Sequence, residues 1–531
     1  MHSLERYRTI IPDWERFRDT MLRRDPPTLR VRTGRISTER LKERLEAQGF
    51  VLSYIEGVPD FLRVIDGPHA VSDTLENWLG LFYIQQASTG VAAPLLAPRP
   101  GERVLDLCAA PGGKTTHIAD LMQDRGCIVA VDRNENRIRA LLGNMYRTAH
   151  PNVLVVAGDG RSLPVGALFD RVLVDAPCSA EGTLRRKHGK SRGRTAKVHE
   201  HVPRRQEALL RRAIALTRPG GTILYSTCTF APEENEAVVD RVLKDSPVTL
   251  DPITLDAPHA PGLTSFEDQQ FDRSLAGACR IYPHHFDSGG LFLARLKRLG
   301  GDEPAGSEVV DATELPAELH AELPGWSPVP EAFPDGRTDP ADAAETIEVA
   351  FDRLESLFGI GADVRSDFGW LVRGEDLWVH RCESWPLGSW GESEHWRVVS
   401  VGLRAMVPDY RNRPRPTNDL FRLLEQAVLP KLVSLSMDQW ATLLNGEDVS
   451  VPGVESGFAP LGLQGHVVGR GLVRGETVRH EIPKVQARWL AKILDLVSSR
   501  TSSDAGEGSG GTPKKILRDE AGVTRSEVNR R

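Results

Sequence analysis

The sequence has few cysteines and lacks any long apolar segment. Its six cysteines, spread over 531 residues, form no CxxC pair and show no zinc-site spacing. A disulfide framework and a structural metal are therefore not expected, and free thiols suit a reducing cytoplasm. Because no apolar run reaches about 18 residues, we expect no membrane span. Residues 1–24 are charged throughout and lack an apolar core of signal-peptide length, which also favours a cytoplasmic location.

The chain also lacks a strong net charge. It carries 67 Lys and Arg against 73 Asp and Glu, a formal net charge of −6, so its overall charge does not indicate a nucleic-acid partner. The distribution does, because segment 185–218 holds twelve basic residues and only two acidic ones. Such a block can neutralise several phosphates. The alternative is a solvated loop without a partner.

Short apolar runs alternate with stretches of helical spacing from residue 101 onwards. Runs rich in β-branched residues predict strands at 104–107, 127–131, 153–157, 172–174 and 222–225. Stretches with helical periodicity lie between most of them, at 115–123, 135–145 and 206–217. This alternation predicts an α/β fold with a doubly wound, mostly parallel Rossmann-like sheet.

At 531 residues the chain is too long for one hydrophobic core, so several domains are expected. Pro, Gly, Ala and acidic residues dominate one internal segment and indicate a linker, and Ser, Gly, Lys and Arg at the end indicate a disordered tail. The predicted units are an N-terminal α+β module (1–97), the sheet domain (98–298), the linker (299–345), a mixed α+β module (346–450), a small module of short strands (451–497) and the tail (498–531).

A run of small residues joins the first strand of this sheet to a helix. It reads Cys108-Ala109-Ala110-Pro111-Gly112-Gly113-Lys114. Small residues let a ligand approach the backbone closely, and a helix N-terminus offers free N–H donors. The spacing matches neither GxGxxG nor a Walker loop. The run therefore predicts a nucleotide-type cofactor site of another kind, the alternative being an ordinary strand-to-helix turn.

Acidic residues follow three consecutive predicted strands, as Asp106, Asp132 and Asp159. Asp132, 26 residues after Asp106, can hold both ribose hydroxyls of a nucleoside. Asp159 is placed to accept a hydrogen bond from an adenine amino group. Three acids in series suit a nucleoside ligand without a pyrophosphate, and they predict S-adenosylmethionine as the cofactor.

Two cysteines follow two further strands of the predicted sheet. Cys178 ends an Asp-Ala-Pro-Cys motif that begins at Asp175, and Cys228 ends a Ser-Thr-Cys motif. Carboxyl ends of parallel strands meet at one edge, so both thiols should share a crevice with the cofactor. Methylation of cytosine at carbon 5 needs a thiolate that adds to carbon 6, and Asp175 is placed to hold ring nitrogen 3. The residues alone leave either thiol as the nucleophile, with buried structural thiols as the alternative.

With these motifs the sequence resembles the Sun-type RNA cytosine-5 methyltransferases of the NOP/Sun family. The resemblance covers roughly residues 70–298 and is nearest to bacterial members that modify small-subunit ribosomal RNA. The matching stretches are 106–115, 175–179, 225–229 with 232–236, and 280–284 with 289–292. A weaker likeness at 465–471 and 483–484 is to the small PUA-like β-barrel that follows the catalytic domain in those bacterial members.

The resemblance implies a Rossmann-like methyltransferase sheet and assigns roles within it. It implies that Cys228 is the nucleophile and that Cys178 helps to release the product. Arg137 stands where the family often carries a basic residue near the cofactor, and Lys114 either partners Asp175 or caps the loop. The implied S-adenosylmethionine ligands are Cys108, Ala109, Ala110, Pro111, Gly112, Gly113, Lys114, Asp132, Arg137, Asp159 and Asp175.

The resemblance also implies that the N-terminal and C-terminal modules bind RNA. Ribosomal RNA is the favoured substrate and transfer RNA the second choice. Within the basic segment, four residues are placed to contact phosphates beside a cytosine that must leave its stack to be methylated. These are Lys187, Lys190, Arg192 and Arg194. The neighbouring histidines, His188, His199 and His201, receive no role.

Two other functions remain open. One is a catalytically silent RNA-binding assembly factor, against which the intact Cys178, Cys228 and Asp175 argue. The other is an N-methyltransferase acting on adenine or on a protein amide. Such enzymes use an Asn/Asp-Pro-Pro-aromatic motif, and the motif beginning at Asp175 lacks the second proline and the aromatic ring.

Overall fold

The computed structural model describes residues 2–165, 168–185, 196–300, 331–332, 340–382, 396–409 and 413–504. Much of the predicted linker and tail lies outside these ranges. So do Lys187, His188, Lys190, Arg192 and Arg194, together with the side chain of His199.

The N-terminal module is a four-stranded antiparallel sheet with helices packed around it. Its strands are β1 (Thr28–Val31), β2 (Val51–Tyr54), β3 (Phe61–Asp66) and β4 (Phe82–Ile84), in the spatial order β2-β3-β1-β4. Its helices are α1 (Trp14–Leu22), α2 (Thr38–Glu46), α3 (Leu75–Trp78), α4 (Ala87–Gly90) and α5 (Ala92–Leu96). This sheet leads the chain into the large sheet domain.

The central domain is built on a ten-stranded sheet that is parallel in its middle. Its consecutive strands are β5 (Arg103–Asp106), β6 (Cys127–Asp132), β7 (Val153–Gly158), β8 (Phe169–Asp175), β9 (Thr217–Thr227), β10 (Val248–Leu250), β11 (Ala260–Pro261), β14 (Cys279–Ile281) and β15 (Leu291–Arg298), with the small hairpin β12–β13 (Ser265–Phe266, Gln269–Gln270) outside the sheet. The parallel strands stand in the order β9-β8-β5-β6-β7. The helices are α6 (Gly113–Leu121), α7 (Glu135–Thr148), α8 (Ala196–Leu216), α9 (Glu236–Asp245) and α10 (Pro283–Phe286). The predicted α/β Rossmann-like sheet is confirmed, but the prediction of a mostly parallel sheet is wrong for the whole: the five central strands are parallel, whereas the strands outside them pair antiparallel, so the sheet is mixed.

Both faces of this sheet are buried, which explains the continuous apolar runs of its strands. In β6, Cys127, Val129 and Val131 enter one hydrophobic core. Ile128 and Ala130 enter a second core on the opposite face. The crossover helices cover each core from outside, as parallel strands require.

One strand of the large sheet comes from far along the chain. The strand β19 (Trp396–Val401) pairs antiparallel with β7 and extends the sheet at that edge. It belongs to the segment that the sequence assigns to a separate module, 346–450. An edge strand leaves a row of backbone N–H and C=O groups unpaired, and β19 satisfies those of β7. The sheet domain therefore draws on chain beyond residue 298.

The remaining C-terminal chain forms two further five-stranded sheets. Strands β16 (Glu331–Ala332), β17 (Gly369–Arg373), β18 (Asp376–His380), β20 (Leu403–Pro408) and β21 (Pro414–Pro416) form the first, and β22 (Val433–Ser434), β23 (Val449–Ser450), β24 (Gly457–Leu463), β25 (His466–Arg474) and β26 (Thr477–His480) form the second. The helices are α11 (Pro340–Phe358), α12 (Ala362–Arg365), α13 (Asn418–Leu423), α14 (Glu425–Val428), α15 (Met437–Leu444) and α16 (Lys484–Asp504). Helix α11 starts inside the predicted linker, and α16 continues past the predicted start of the tail.

The N-terminal module packs directly against the C-terminal one. Trp78 of α3 donates its indole N–H to the carbonyl of Val468 at 3.1 Å. The ring of Trp489 on α16 lies 5.1 Å from that of Trp78. Leu75 and Trp78 share a buried cluster with residues of the last sheet. The two ends of the described chain therefore meet over one flank of the central domain.

A buried ion cluster fastens the N-terminal sheet to α6. The Asp120 carboxylate binds both Arg30 and Arg32, with Arg32 Nε 3.0 Å from Oδ1. The side chains of the two arginines are 1% and 5% exposed. Although burial raises the pKa of Asp120, the two guanidiniums hold it well below its usual range.

We expect Asp120→Ala to lower the free energy of unfolding by about 3–5 kcal/mol, because it removes the carboxylate that two buried guanidiniums share. Urea denaturation followed by circular dichroism measures the loss. Glu43→Ala, which breaks an ion pair with Arg40 whose side chains are 68% and 63% exposed, should cost below about 1 kcal/mol. Equal small losses in both variants would contradict the role given to the cluster.

Candidate active site

The parallel pairing of β8 with β9 brings the two cysteine motifs together. Asp175, the last residue of β8, stands opposite Ser226 of β9, and the Ser226 hydroxyl donates to Asp175 Oδ1 at 2.8 Å. Cys178 and Cys228 follow at nearly the same distance beyond that pair. Their sulfur atoms lie 3.2 Å apart.

Three of the six cysteines are partly exposed, and all three belong to the motifs at this edge of the sheet. Cys127, Cys279 and Cys382 are buried, whereas Cys108, Cys178 and Cys228 are partly exposed. The hydrogen bond with Cys228, together with burial, raises the pKa of Cys178 well above its ordinary value. Cys178 therefore keeps its proton at neutral pH and can share it with the neighbouring sulfur.

An ion pair lies beside the thiols. Lys114 Nζ, at the start of α6, is 2.7 Å from Asp175 Oδ2. Burial lowers the pKa of Lys114, but the Asp175 carboxylate outweighs it and holds the pKa above its ordinary value, with a further contribution from Cys228. The sequence left Lys114 either as a partner of Asp175 or as a cap of the loop, and in the structure it is the partner of Asp175.

The loop before α6 has a fixed backbone path. Ala109 donates its N–H to the carbonyl of Val131 at 2.9 Å, which ties the loop to β6. Gly112 has a φ of +105°, and a Cβ built there would lie 2.8 Å from Leu141 Cδ1. Glycine suits this position, because the left-handed backbone is strained for other residues and a Cβ would displace the Leu141 side chain. The predicted strand–loop–helix path of the cofactor motif is present.

Asp106, the last residue of β5, holds this loop through hydrogen bonds to its carboxylate. It is 1% exposed, and its carboxylate accepts hydrogen bonds from Thr115 Oγ1 at 2.8 Å and from the Cys108 N–H at 3.3 Å. Burial raises the pKa of Asp106 to about 7. Burial also raises the pKa of Cys108 far above its ordinary value, so this third thiol stays protonated.

The acids that end β6 and β7 are already engaged with arginines. Asp132 accepts from the Ala110 N–H at 3.3 Å, and Arg137 Nη1 lies 3.2 Å from the same carboxylate. Arg137 also donates to the Ala110 carbonyl. Asp159 pairs with Arg161 at 2.6 Å, and that contact lowers the pKa of Asp159 to about 2. Asp132 and Arg137 therefore hold the loop, whereas Asp159 contacts only Arg161 among these residues.

A cavity of about 620 Å³ opens beside the loop. Predicted residues in its lining are Asp106, Cys108, Ala109, Ala110, Pro111, Gly113, Lys114 and Asp175. The other predicted site residues, Gly112, Asp132, Arg137, Asp159, Cys178 and Cys228, do not belong to this lining. The cavity therefore joins the cofactor loop to the Asp175–Lys114 pair.

Two other walls of the cavity come from residues that the sequence did not indicate. Tyr83, Gln85 and Gln86 reach it from the N-terminal module, and Trp489 reaches it from α16. The Gln85 side chain is 7% exposed, and its Nε2 has no hydrogen-bond partner within the described part of the chain. A buried, unpaired amide donor on a cavity wall fits a site that receives a polar ligand.

Two buried glutamates hold the cysteine loops together, each accepting hydrogen bonds from the loop of the other cysteine. Glu181, three residues after Cys178, accepts hydrogen bonds from Thr229 Oγ1 at 2.9 Å and from the Phe230 N–H at 3.3 Å. Glu234, six residues after Cys228, accepts from the Ser179 N–H at 2.9 Å. Each motif thus supplies a carboxylate that holds the other. Glu234 lies in the family-matching stretch 232–236, but nothing in the sequence indicated that its carboxylate binds the loop of Cys178.

Over the described ranges, no three His, Cys, Asp or Glu side chains are grouped so that they could hold a metal ion. None of the described helices combines the length and the apolar character needed to cross a bilayer.

Comparison with known proteins identifies the family. Residues 93–297 match the family model described as 16S rRNA methyltransferase RsmB/F. A mouse 28S rRNA (cytosine-C(5))-methyltransferase is 35% identical over 300 residues, which cover 55% of this chain and 38% of that protein. A crystal structure of the protein PH0851 superposes with a TM-score of 0.51 at 33% identity, over 56% of this chain and 65% of the other. The chain thus spans about two-fifths of the length of the mouse relative.

An archaeal relative is covered almost completely. The tRNA (cytosine(49)-C(5))-methyltransferase of Pyrococcus abyssi is 31% identical over 299 residues, which make up 56% of this chain and 95% of that protein. The similarity therefore includes nearly all of a whole relative, not an isolated motif. The resemblance drawn from the sequence motifs is confirmed: the chain belongs to the RsmB/F family of RNA cytosine-C5 methyltransferases.

Proposed function

We propose that the protein methylates carbon 5 of a cytosine in RNA with S-adenosylmethionine as the methyl donor, and that ribosomal RNA is the substrate. The observation that carries the proposal is the pair of sulfur atoms 3.2 Å apart, beside an ion pair of 2.7 Å between Asp175 and Lys114. The names of the mouse rRNA enzyme and of the matching family model support it.

Cytosine carbon 5 is a poor nucleophile, and the two thiols supply what it lacks. We assign the attack on carbon 6 to the Cys228 thiolate, because the resemblance places the nucleophile at the Thr-Cys motif. Addition there breaks the aromaticity of the ring and makes carbon 5 an enamine-type nucleophile. S-adenosylmethionine, when bound, supplies an electrophilic methyl group.

Lys114 and Asp175 stabilise the charges that develop. Negative charge grows on ring nitrogen 3 as carbon 6 is attacked, and Asp175 is the group that holds or protonates this nitrogen. The Lys114 ammonium interacts with both Asp175 and Cys228, so it favours the thiolate form of the nucleophile. A charge fixed in a buried site stabilises more than the same charge in water.

Cys178 completes the cycle at release. The carbon 5 proton is lost to solvent, the electrons of that C–H bond restore the carbon 5–carbon 6 double bond, and the bond from carbon 6 to sulfur breaks. The sulfur of Cys228 leaves with the bonding electrons. Because Cys178 keeps its proton and lies 3.2 Å away, its S–H stabilises that departing thiolate.

The loop fits S-adenosylmethionine on the observations of this structure. The small residues Ala109, Ala110 and Gly113 line the cavity, and a buried amide of Gln85 is available on its wall. We propose that the cofactor is held by residues at the ends of β5 to β8. They are Cys108, Ala109, Ala110, Pro111, Gly112, Gly113, Lys114, Asp132, Arg137, Asp159 and Asp175.

Transfer RNA is the second candidate substrate. The relative from Pyrococcus abyssi, which this chain covers over 95% of its length, is named for a transfer RNA cytosine. The relatives named for ribosomal RNA are longer than the shared region, as this chain also is. We favour ribosomal RNA because the family model carries that description.

Cys178→Ala should trap RNA as a covalent adduct, and Cys228→Ala should not. Loss of the S–H donor leaves the Cys228 thiolate a poor leaving group, whereas loss of Cys228 prevents addition. The measurement is a heat-stable, RNase-sensitive shift on a denaturing gel, and sequencing the trapped RNA names the substrate. Trapping by Cys228→Ala alone would exchange the two roles. No trapping by either variant, with a wild type that binds RNA without methylating it, would favour the assembly factor.

We expect Lys114→Met to lower kcat by roughly 10²–10³-fold, because it removes the buried cation that faces both Asp175 and the nucleophile. Methyl incorporation from labelled S-adenosylmethionine measures it. Asp170→Asn is the control. Asp170 lies on β8, as Asp175 does, but its carboxylate pairs with Arg218 and does not line the cavity. That control should keep its activity, and equal losses in both variants would show that the effect is structural.

Gly112→Ala should weaken S-adenosylmethionine binding by at least about tenfold, because the new methyl group meets Leu141 and disfavours the left-handed backbone. Titration calorimetry with the cofactor measures the affinity. Gly34→Ala is the matched control, since a Cβ there meets nothing within 4 Å. Unchanged affinity in Gly112→Ala would show that the conformation of this loop does not affect cofactor binding.

A further inference from the structure

Glu234 contacts the chain on both sides of Cys178. It is 2% exposed and ends the short 3₁₀ turn Pro232–Glu234. Its Oε2 accepts hydrogen bonds from the Ser179 N–H at 2.9 Å and from Gln206 Nε2 at 3.1 Å. Gln206, which is fully buried, also donates to the Pro177 carbonyl at 3.0 Å. One carboxylate therefore fixes the residues before and after Cys178.

The same residue is tied to the strand that leads to Cys228. The backbone carbonyl of Glu234 accepts a hydrogen bond from the hydroxyl of Tyr225 at 2.7 Å. Tyr225 is fully buried in β9, three residues before Cys228. Glu234 thus contacts both the loop that carries Cys178 and the strand that leads to Cys228.

We infer that Glu234 is a positioning residue for product release, which holds the Cys178 sulfur against the Cys228 sulfur through Ser179 and Gln206. This inference rests on the proposed function, and it concerns one step of it. The addition of Cys228 to carbon 6 does not need Cys178, but the departure of that sulfur needs the S–H at close range. Misplacing a reacting group by about 1 Å can cost roughly 10²-fold.

The charge of Glu234 acts in the same direction as its hydrogen bonds. The contact with Cys228 and burial are the main causes of the raised pKa of Cys178, and the Glu234 carboxylate adds to them. A neighbouring negative charge disfavours the thiolate. Glu234 therefore keeps Cys178 in the protonated form that can donate to the leaving sulfur.

Glu181 is not an equivalent choice, although it is the reciprocal brace. Its carboxylate binds Thr229, Phe230 and the hydroxyl of Tyr7, so it holds the chain after Cys228. Its loss should disturb the nucleophile and the addition step. Glu234 is the glutamate whose contacts flank Cys178.

The test compares Glu234→Ala and Glu234→Gln with Cys178→Ala and with the control Glu233→Gln. Glu233 lies on the same turn, but its carboxylate pairs with Arg6, and both side chains are 29% exposed. After incubation with RNA and S-adenosylmethionine, the fraction of enzyme in a heat-stable RNA adduct is measured, together with methyl transfer in a single turnover. Thermal melting checks that each variant is folded.

We expect Glu234→Ala to raise the adduct fraction at least about tenfold over wild type, towards the level of Cys178→Ala, while single-turnover methyl transfer persists. Glu234→Gln keeps an oxygen for the two N–H donors and removes the charge, so the pKa of Cys178 should fall. The alkaline limb of its pH–kcat profile should therefore move to lower pH. Glu233→Gln should behave as wild type in both measurements.

The outcomes separate this inference from the function on which it rests. If Cys178→Ala traps no RNA either, the proposed function fails. If Cys178→Ala traps RNA but the folded Glu234→Ala does not, Glu234 has only a structural role and the inference is overturned. If Glu234→Ala does not fold, Gln206→Leu decides, because it removes the link from Glu234 to the Pro177 carbonyl and leaves Glu234 in place; a wild-type adduct fraction in that folded variant overturns the inference.

Discussion

The pairing of Asp175 with Ser226, in the parallel register of β8 and β9, is the constraint on which the site depends. That register sets both cysteine loops at the same height above the sheet and leaves their sulfur atoms 3.2 Å apart. A slip of one residue would send every side chain of one strand to the opposite face. The packed cores on both faces oppose such a slip, because it would exchange the side chains around which each core is packed.

Around this register the site is built from groups that hold one another. Lys114 forms an ion pair with Asp175, and Arg137 and the Ala110 N–H bind Asp132. Each of the glutamates that follow the two cysteines accepts hydrogen bonds from the loop of the other cysteine. Buried charges are costly unless they are paired, and in these contacts each has a partner. These contacts hold the loops in one conformation, which suits chemistry that needs two sulfur atoms in contact.

Local sequence patterns predicted the sheet and the positions of its functional ends. The apolar runs of β5 to β9 are visible because strands buried on both faces carry continuous hydrophobic residues, and Cys108, Asp175, Cys178 and Cys228 follow them directly. What remained unseen depends on contacts between distant parts of the chain. Gln85 and Trp489 enter the cavity from opposite ends of the described chain, and β19 pairs with β7 across more than two hundred residues. No periodicity encodes which surface another segment will cover.

The late strand β19 has a consequence for how the protein is made. During synthesis, the edge of β7 emerges from the ribosome roughly 240 residues before its partner, which at roughly 5–20 residues per second is an interval of about 12–48 s. Throughout that time the growing chain carries an open sheet edge of the kind that pairs with other molecules. The catalytic sheet thus reaches its final width only after the chain as far as residue 401 has left the ribosome, so its completion waits for a segment that lies about a hundred residues beyond its last consecutive strand.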